Sequence, residues 1–189
     1  MQSYGECGKL ILEEDKNSFK IMSLVAKDLA NAIKAKNEGL TDPGAAITAF
    51  WDAIKEYVEK NAEVIYTWSA VDSTSSPDPT TTWTGRIITS GSLSPSGKDT
   101  AAGALSKTSE DMNVNVNEWT IKPPSDFSVS GPTIKGSSIS MKASGATDRD
   151  SALLAISEDI IEGIKAAIPP IMSGSHGSYT GATTGGKII

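Results

Sequence analysis

The sequence holds a single cysteine, Cys7, and a single histidine, His176, in 189 residues. One thiol excludes an intrachain disulfide and any metal cluster built on cysteines. Apolar residues never run for the roughly 20 positions that a membrane-spanning helix needs. Basic residues are outnumbered, 17 Lys and Arg against 23 Asp and Glu, for a formal net charge of −6. Nucleic acid and anionic membranes demand the opposite balance, so neither is expected as a partner. The stretch Met1-Gln-Ser-Tyr-Gly-Glu-Cys-Gly8 lacks a basic segment leading into an apolar one, and no signal peptide is read from it. There is also no Asn-x-Ser/Thr acceptor. Synthesis in a reducing cytoplasm is the expectation.

The chain has enough length for one domain with a core of its own. Its apolar fraction is only 38%, while Ser and Thr make up about a fifth of it. That balance suits strands with one wet face better than a dense helical core.

Two amphipathic helices stand out. Phe19, Met22, Val25, Ala26, Leu29 and Ile33 recur at helical spacing, which predicts a helix over 18–36 capped by Asn17 or Ser18. Asp42 followed by Pro43 is a strong start signal for a second helix over 43–62, with Ile47, Phe50, Trp51, Ile54, Tyr57 and Val58 on one face. The short connection between them implies an antiparallel helical hairpin. A third helix is predicted over 148–168. It opens at a capping-box-like Thr147-Asp-Arg-Asp150, carries Leu153, Leu154, Ile160, Ile161, Ile164 and Ile168, and stops at Pro169-Pro170.

Between the second and third helices the period becomes that of strands. Glu63 to Val71 is rich in β-branched and aromatic residues, and Thr82 to Thr89 reads as its returning partner across a polar turn. Residues 90–109 are loop or short helix. Met112, Val114 and Val116 then alternate with asparagines, and the phase slips at Glu118 before Trp119 and Ile121, a sign of a bulge or bend. Pro123-Pro124 ends that strand, and Phe127–Val129 and Ser137–Lys142 continue the pattern. Half-polar alternation of this kind fits an antiparallel sheet with one face on the core. The fold class is therefore α+β. The expected organisation is an N-terminal arm (1–15), one α+β domain (16–170) and an extended glycine-rich C-terminal arm (171–189).

Catalytic motifs fail one by one. Gly181-Ala-Thr-Thr-Gly-Gly-Lys187 has phosphate-loop spacing, but Ile188 stands where a hydroxyl should bind magnesium, and no helix follows to receive the phosphates. His176 lies in a Gly/Ser stretch, whereas a catalytic histidine must be held by a third group. No Gly-x-Ser-x-Gly elbow supplies a nucleophile. Asp148 and Asp150 are explained by capping and the helix dipole, and no EF-hand loop accompanies them. Glu13-Glu14-Asp15 and Glu158-Asp159-Glu162 read as solvated faces. No enzymatic activity, cofactor or metal is expected.

Acidic chains of this size with a helical hairpin, polar strands such as Gly131-Pro-Thr-Ile-Lys-Gly-Ser-Ser-Ile-Ser140, and a terminal stretch such as Tyr179-Thr-Gly-Ala-Thr-Thr-Gly-Gly-Lys187 resemble small virion proteins of tailed bacteriophages, of tail, neck or baseplate type. The resemblance implies particle assembly, many identical copies and incorporation into a virion. Its partners would be other subunits, copies of itself among them. The expected contact residues are Tyr179, Thr180, Lys187, Ile188 and Ile189 in the C-terminal arm, through main-chain pairing at a neighbour's sheet edge. The second reading is a carbohydrate- or surface-binding module that stacks sugars on Trp68 and Trp83.

Overall fold

Asp42 caps the second helix, as its position before Pro43 requires: its Oδ2 accepts the Ala45 amide at 2.7 Å. In the computed structural model, which describes residues 23–89, 112–115, 119–130, 133–134, 138–141 and 146–189, this helix is α2, Pro43–Asn61. It buries Phe50, Ala53, Ile54, Tyr57 and Val58, the spacing of one helical face. Helix α1, Ala26–Asn37, buries Leu29, Ala30 and Ile33. It begins later than expected. Residues 23–25 are not helical, and Phe19, Met22 and the predicted caps Asn17 and Ser18 lie outside the described residues. Val25 occupies the N-cap position with no side-chain cap. Tyr57 anchors that residue instead, its hydroxyl accepting the Val25 amide at 2.9 Å and donating to the Val25 carbonyl at 3.0 Å. The start of α1 thus meets the end of α2, while Lys36 pairs with Glu56 at 2.6 Å. Both ends of α1 therefore reach the C-terminal half of α2.

Helix α3, Arg149–Ala166, opens one residue later than the predicted box. Asp148, not Thr147, is the N-cap, and Ser151 completes the reciprocal bonds. α3 lies antiparallel against α1: Lys165 Nζ donates to the Leu24 carbonyl at one end, and Lys34 pairs with Asp150 at the other.

The strands are β1 (Glu63–Val71), β2 (Thr82–Thr89), β3 (Met112–Asn115), β4 (Trp119–Lys122), β5 (Phe127–Ser130), β6 (Thr133–Ile134), β7 (Ser138–Met141), β8 (Ser173–His176) and β9 (Tyr179–Ile188). Seven form an antiparallel sheet in the order β5-β8-β9-β1-β2-β4-β6, and β3 pairs with β7 separately. The predicted phase slip at Glu118 falls outside the described residues, as do Cys7, Val116, Gly131, Lys142 and 90–109. Mixed α+β architecture is what the hydrophobic periods implied.

The principal departure lies at residues 171–189. Expected as an arm, this segment is a β-hairpin whose longer strand sits inside the sheet. Eight residues of β9 pair with β1, from Val64↔Ile188 to Val71↔Thr180. The hairpin turn is Gly177-Ser178, with Gly177 at φ 57°, a conformation that costs glycine nothing. At Gly181 the reason for glycine is different. A Cβ there would fall on the Ser69 carbonyl oxygen of the neighbouring strand.

The inner face of β1 carries Val64, Tyr66, Trp68 and Ala70, and that of β2 carries Trp83 and Ile87, all buried. The sheet is curled rather than flat. Phe127 on β5 and Trp83 on β2 stand four strand positions apart in the sheet order, ~19 Å across a flat sheet at about 4.8 Å per strand. Their ring centroids are nevertheless only 5.6 Å apart. The strands wrap round an aromatic interior, and the helices close it.

Candidate functional site

The β1–β2 connection folds back on its own strand. Asp72 Oδ1 accepts from the Thr74 amide, the Thr74 hydroxyl and the Ser76 amide, so the tip is tied by one carboxylate. The Asp78 amide then donates to the Ala70 carbonyl at 2.9 Å. This return carries the Asp78 side chain, only 1% exposed, to the rim of the aromatic interior. There its Oδ1 accepts the Thr80 amide, and its Oδ2 accepts the Trp68 indole N–H at 2.9 Å.

His176, at the end of β8, stands 2.8 Å from the same Asp78 oxygen through Nδ1. Its Nε2 faces Asp126 Oδ2 at 3.2 Å, presented by the turn that leads into β5. Sheet register sets Phe127 directly opposite His176, and the two rings stack at 4.4 Å with an interplanar angle of 6°. One imidazole therefore ties together the β1–β2 loop, the β4–β5 turn and the C-terminal hairpin.

The electrostatics favour a charged ring. The hydrogen bond to Asp78 raises the His176 pKa above its usual 6.5 against the opposing pull of desolvation, with the charges of Asp78 and Asp126 adding to the rise. Burial by itself would push Asp78 upward. Its bonds from Thr80, His176 and Trp68 outweigh that and hold it below its usual 3.8. Only the doubly protonated imidazole donates to both carboxylates at once. The two acids approach opposite edges of the ring, so they do not converge on a point where an ion would sit. Among the described residues no cluster of His, Cys, Asp and Glu has the arrangement of a metal site.

His176 is thus not the loosely held residue that its Gly/Ser surroundings implied; it is fixed at both nitrogens and on one face. The contacts that fix it also occupy it. The phosphate-loop spacing at Gly181–Lys187 lies inside β9, an extended strand.

No family model, curated protein or solved structure matches this chain.

The predicted contact residues are dispersed. Ile188 is 1% exposed and belongs to the core. Ile189 exchanges main-chain hydrogen bonds with Glu63. Tyr179 packs against the core, while Thr180 and Lys187 face solvent on the outside of the sheet. Trp68 and Trp83, at 2% and 5% exposure, are also interior. Their burial removes the flat faces on which a sugar would stack. Nor do they oppose each other across the hairpin: Trp83 pairs with Tyr66 and stacks on it at 4.6 Å. Alternation along β1 puts Tyr66 and Trp68 on one face, and that face is the core. The Asp78–His176–Asp126 cluster could not be found from sequence spacing, since its members come from two separate connections and the end of β8.

Proposed function

We propose that this chain is a non-catalytic structural subunit of a multi-protein assembly, of the tail, neck or baseplate kind found in tailed bacteriophage particles. It is made in the cytoplasm and built into the particle in many copies. The observation that carries this reading is the segment joining α3 to β8. Ile168 and Ile171 are 86% and 73% exposed. Between them Pro169 is buried, with its ring near Tyr66 and Gly186. Two large apolar side chains are thereby presented to solvent on a connection stiffened by two prolines. Such surface gains most when another subunit covers it. The one histidine, by contrast, is committed to holding the fold together, which suits a part that bears load rather than turns over substrate.

The test is where the protein is found when expressed from its own locus. It should sediment with a large particle and appear there in many copies by quantitative mass spectrometry. A protein that stays wholly at monomer mass, with none in the particle fraction, would sink the reading.

A further inference from the structure

The outward side of the curled sheet and the outward side of α3 carry opposite charge. On the sheet, Ile65 and Ile88 are 39% and 40% exposed, large apolar side chains on the solvent face of β1 and β2. Around them stand the exposed cations Arg86, Lys122 and Lys187. Register fixes their places. Lys187 lies opposite Ile65, and Arg86 lies between Glu63 on one side and Lys122 on the other. Arg86 and Lys122 are thus like charges directly across a strand pair, an arrangement that destabilises an isolated sheet. Among the described residues none of these three cations is ion-paired. In a chain of net charge −6, this is a local excess of positive charge.

On α3 the exposed residues Leu154, Glu158 and Glu162 recur every four positions and so form one stripe. One turn on, exposed Lys165 turns its ammonium to the Leu24 carbonyl of α1's approach, and the connection bearing Ile168 and Ile171 begins just beyond the end of the helix. Neither glutamate is ion-paired among the described residues. The opposite side of α3 contributes Leu153, Ile156, Ile160 and Ile164 to the same core as Val64 and Tyr66. The acidic stripe therefore points away from the sheet, and the two surfaces do not meet within one molecule.

We propose that copies of this chain associate head to tail, the outer sheet face of one docking on the α3 stripe of the next. Arg86, Lys122 and Lys187 meet Glu158 and Glu162, and Ile65 and Ile88 meet Leu154 and the Ile168/Ile171 connection. This rests on the structural-subunit reading and goes further by naming the contact. A second copy is the occupant because each surface supplies what the other lacks: cations around apolar residues on one, anions around apolar residues on the other. The two patches differ, so the contact is heterologous. It closes into rings or propagates into filaments rather than stopping at a two-fold dimer.

Sedimentation velocity of the full chain over a concentration series tests it, at low and at high salt. The wild type should self-associate at low salt and dissociate as salt screens the contact. Arg86→Glu with Lys122→Glu should be monomeric, as should Glu158→Lys with Glu162→Lys, both with wild-type circular dichroism because the altered residues are exposed. Mixing the two variants should restore association, since each then meets a surface of opposite sign. Wild-type association that neither charge reversal weakens would overturn the contact and leave the structural reading in place. A wild type that stays monomeric, yet binds a poly-glutamate peptide through Arg86 and Lys122, would overturn the second copy as occupant. The particle-sedimentation experiment judges the broader reading separately.

Discussion

Removing residues 172–189 should unfold this domain. β9 pairs with β1 at eight positions. At roughly 0.5–1.5 kcal/mol net per main-chain hydrogen bond, that ladder is worth ~4–12 kcal/mol. Loss of the Ile188 side chain, 1% exposed in the intact chain, adds a cost of the order measured for large-to-small core changes, about 2–5 kcal/mol. Whole domains are stable by only about 5–15 kcal/mol, so little or nothing should remain. The truncation also uncovers one edge of β1 and strips Phe127 of its His176 cover. The assay is urea denaturation followed by tryptophan fluorescence and far-ultraviolet circular dichroism. Ile188→Ala should lower stability by ~2–5 kcal/mol, and Ile168→Ala, at an exposed site, by no more than ~0.5 kcal/mol. A truncated chain with near-native circular dichroism and a cooperative urea transition would refute the reasoning and return residues 172–189 to the status of an arm.

Other expectations follow from the site and the caps. His176 has its pKa raised above 6.5 by Asp78, so its stabilisation is complete below about 6.5 and is lost as pH rises through the folded value. Asp78 has its pKa held below 3.8, so its contribution is present above 3.8 and is lost as pH falls through the depressed value. The melting temperature should be highest in the weakly acidic range between these limits and fall toward alkaline pH. In His176→Gln the alkaline fall should vanish, and an equal fall in both proteins would contradict the assignment. Phe127→Ala removes a ring that touches Trp68, Trp83 and His176, and should cost ~3–5 kcal/mol in urea unfolding. Asp42→Ala deletes the cap of α2 and should cost about 0.5–2 kcal/mol, read as a lower urea midpoint with an unchanged m-value. Gly181→Val should fail to fold or melt far below wild type, since its side chain has no room beside the Ser69 backbone.

Much of the fold is legible in the residues because the local signals agree with the tertiary ones. In α2 the cap, the proline and the apolar face all point the same way, and its predicted span matches to within a residue. β1 and β2 carry unbroken alternation between buried and exposed positions. α1 is less legible at its start, where no side chain caps the helix and a tyrosine 32 residues away holds the residue before it. β9 is illegible by hydrophobic pattern. Its glycines leave too few side chains to show a period of two, and its strand character comes from β1 alongside it. The signal that was present is the Gly177-Ser178 turn between two short polar runs. The site is harder still, because Asp78 and His176 are 98 residues apart and nothing in either neighbourhood names the other.

The pairing of β1 with β9 also fixes when the sheet can be completed. Val64 waits for Ile188, its partner across 124 residues of chain, and closing a loop of that length is slow compared with forming a helix or a local hairpin. During synthesis α1, α2 and the β1–β2 hairpin emerge first, with one edge of β1 and the indoles of Trp68 and Trp83 still open. Until residues 179–188 have left the ribosome, that edge is free to pair with any other strand in reach. Slow translation through this hairpin should therefore raise the fraction that aggregates.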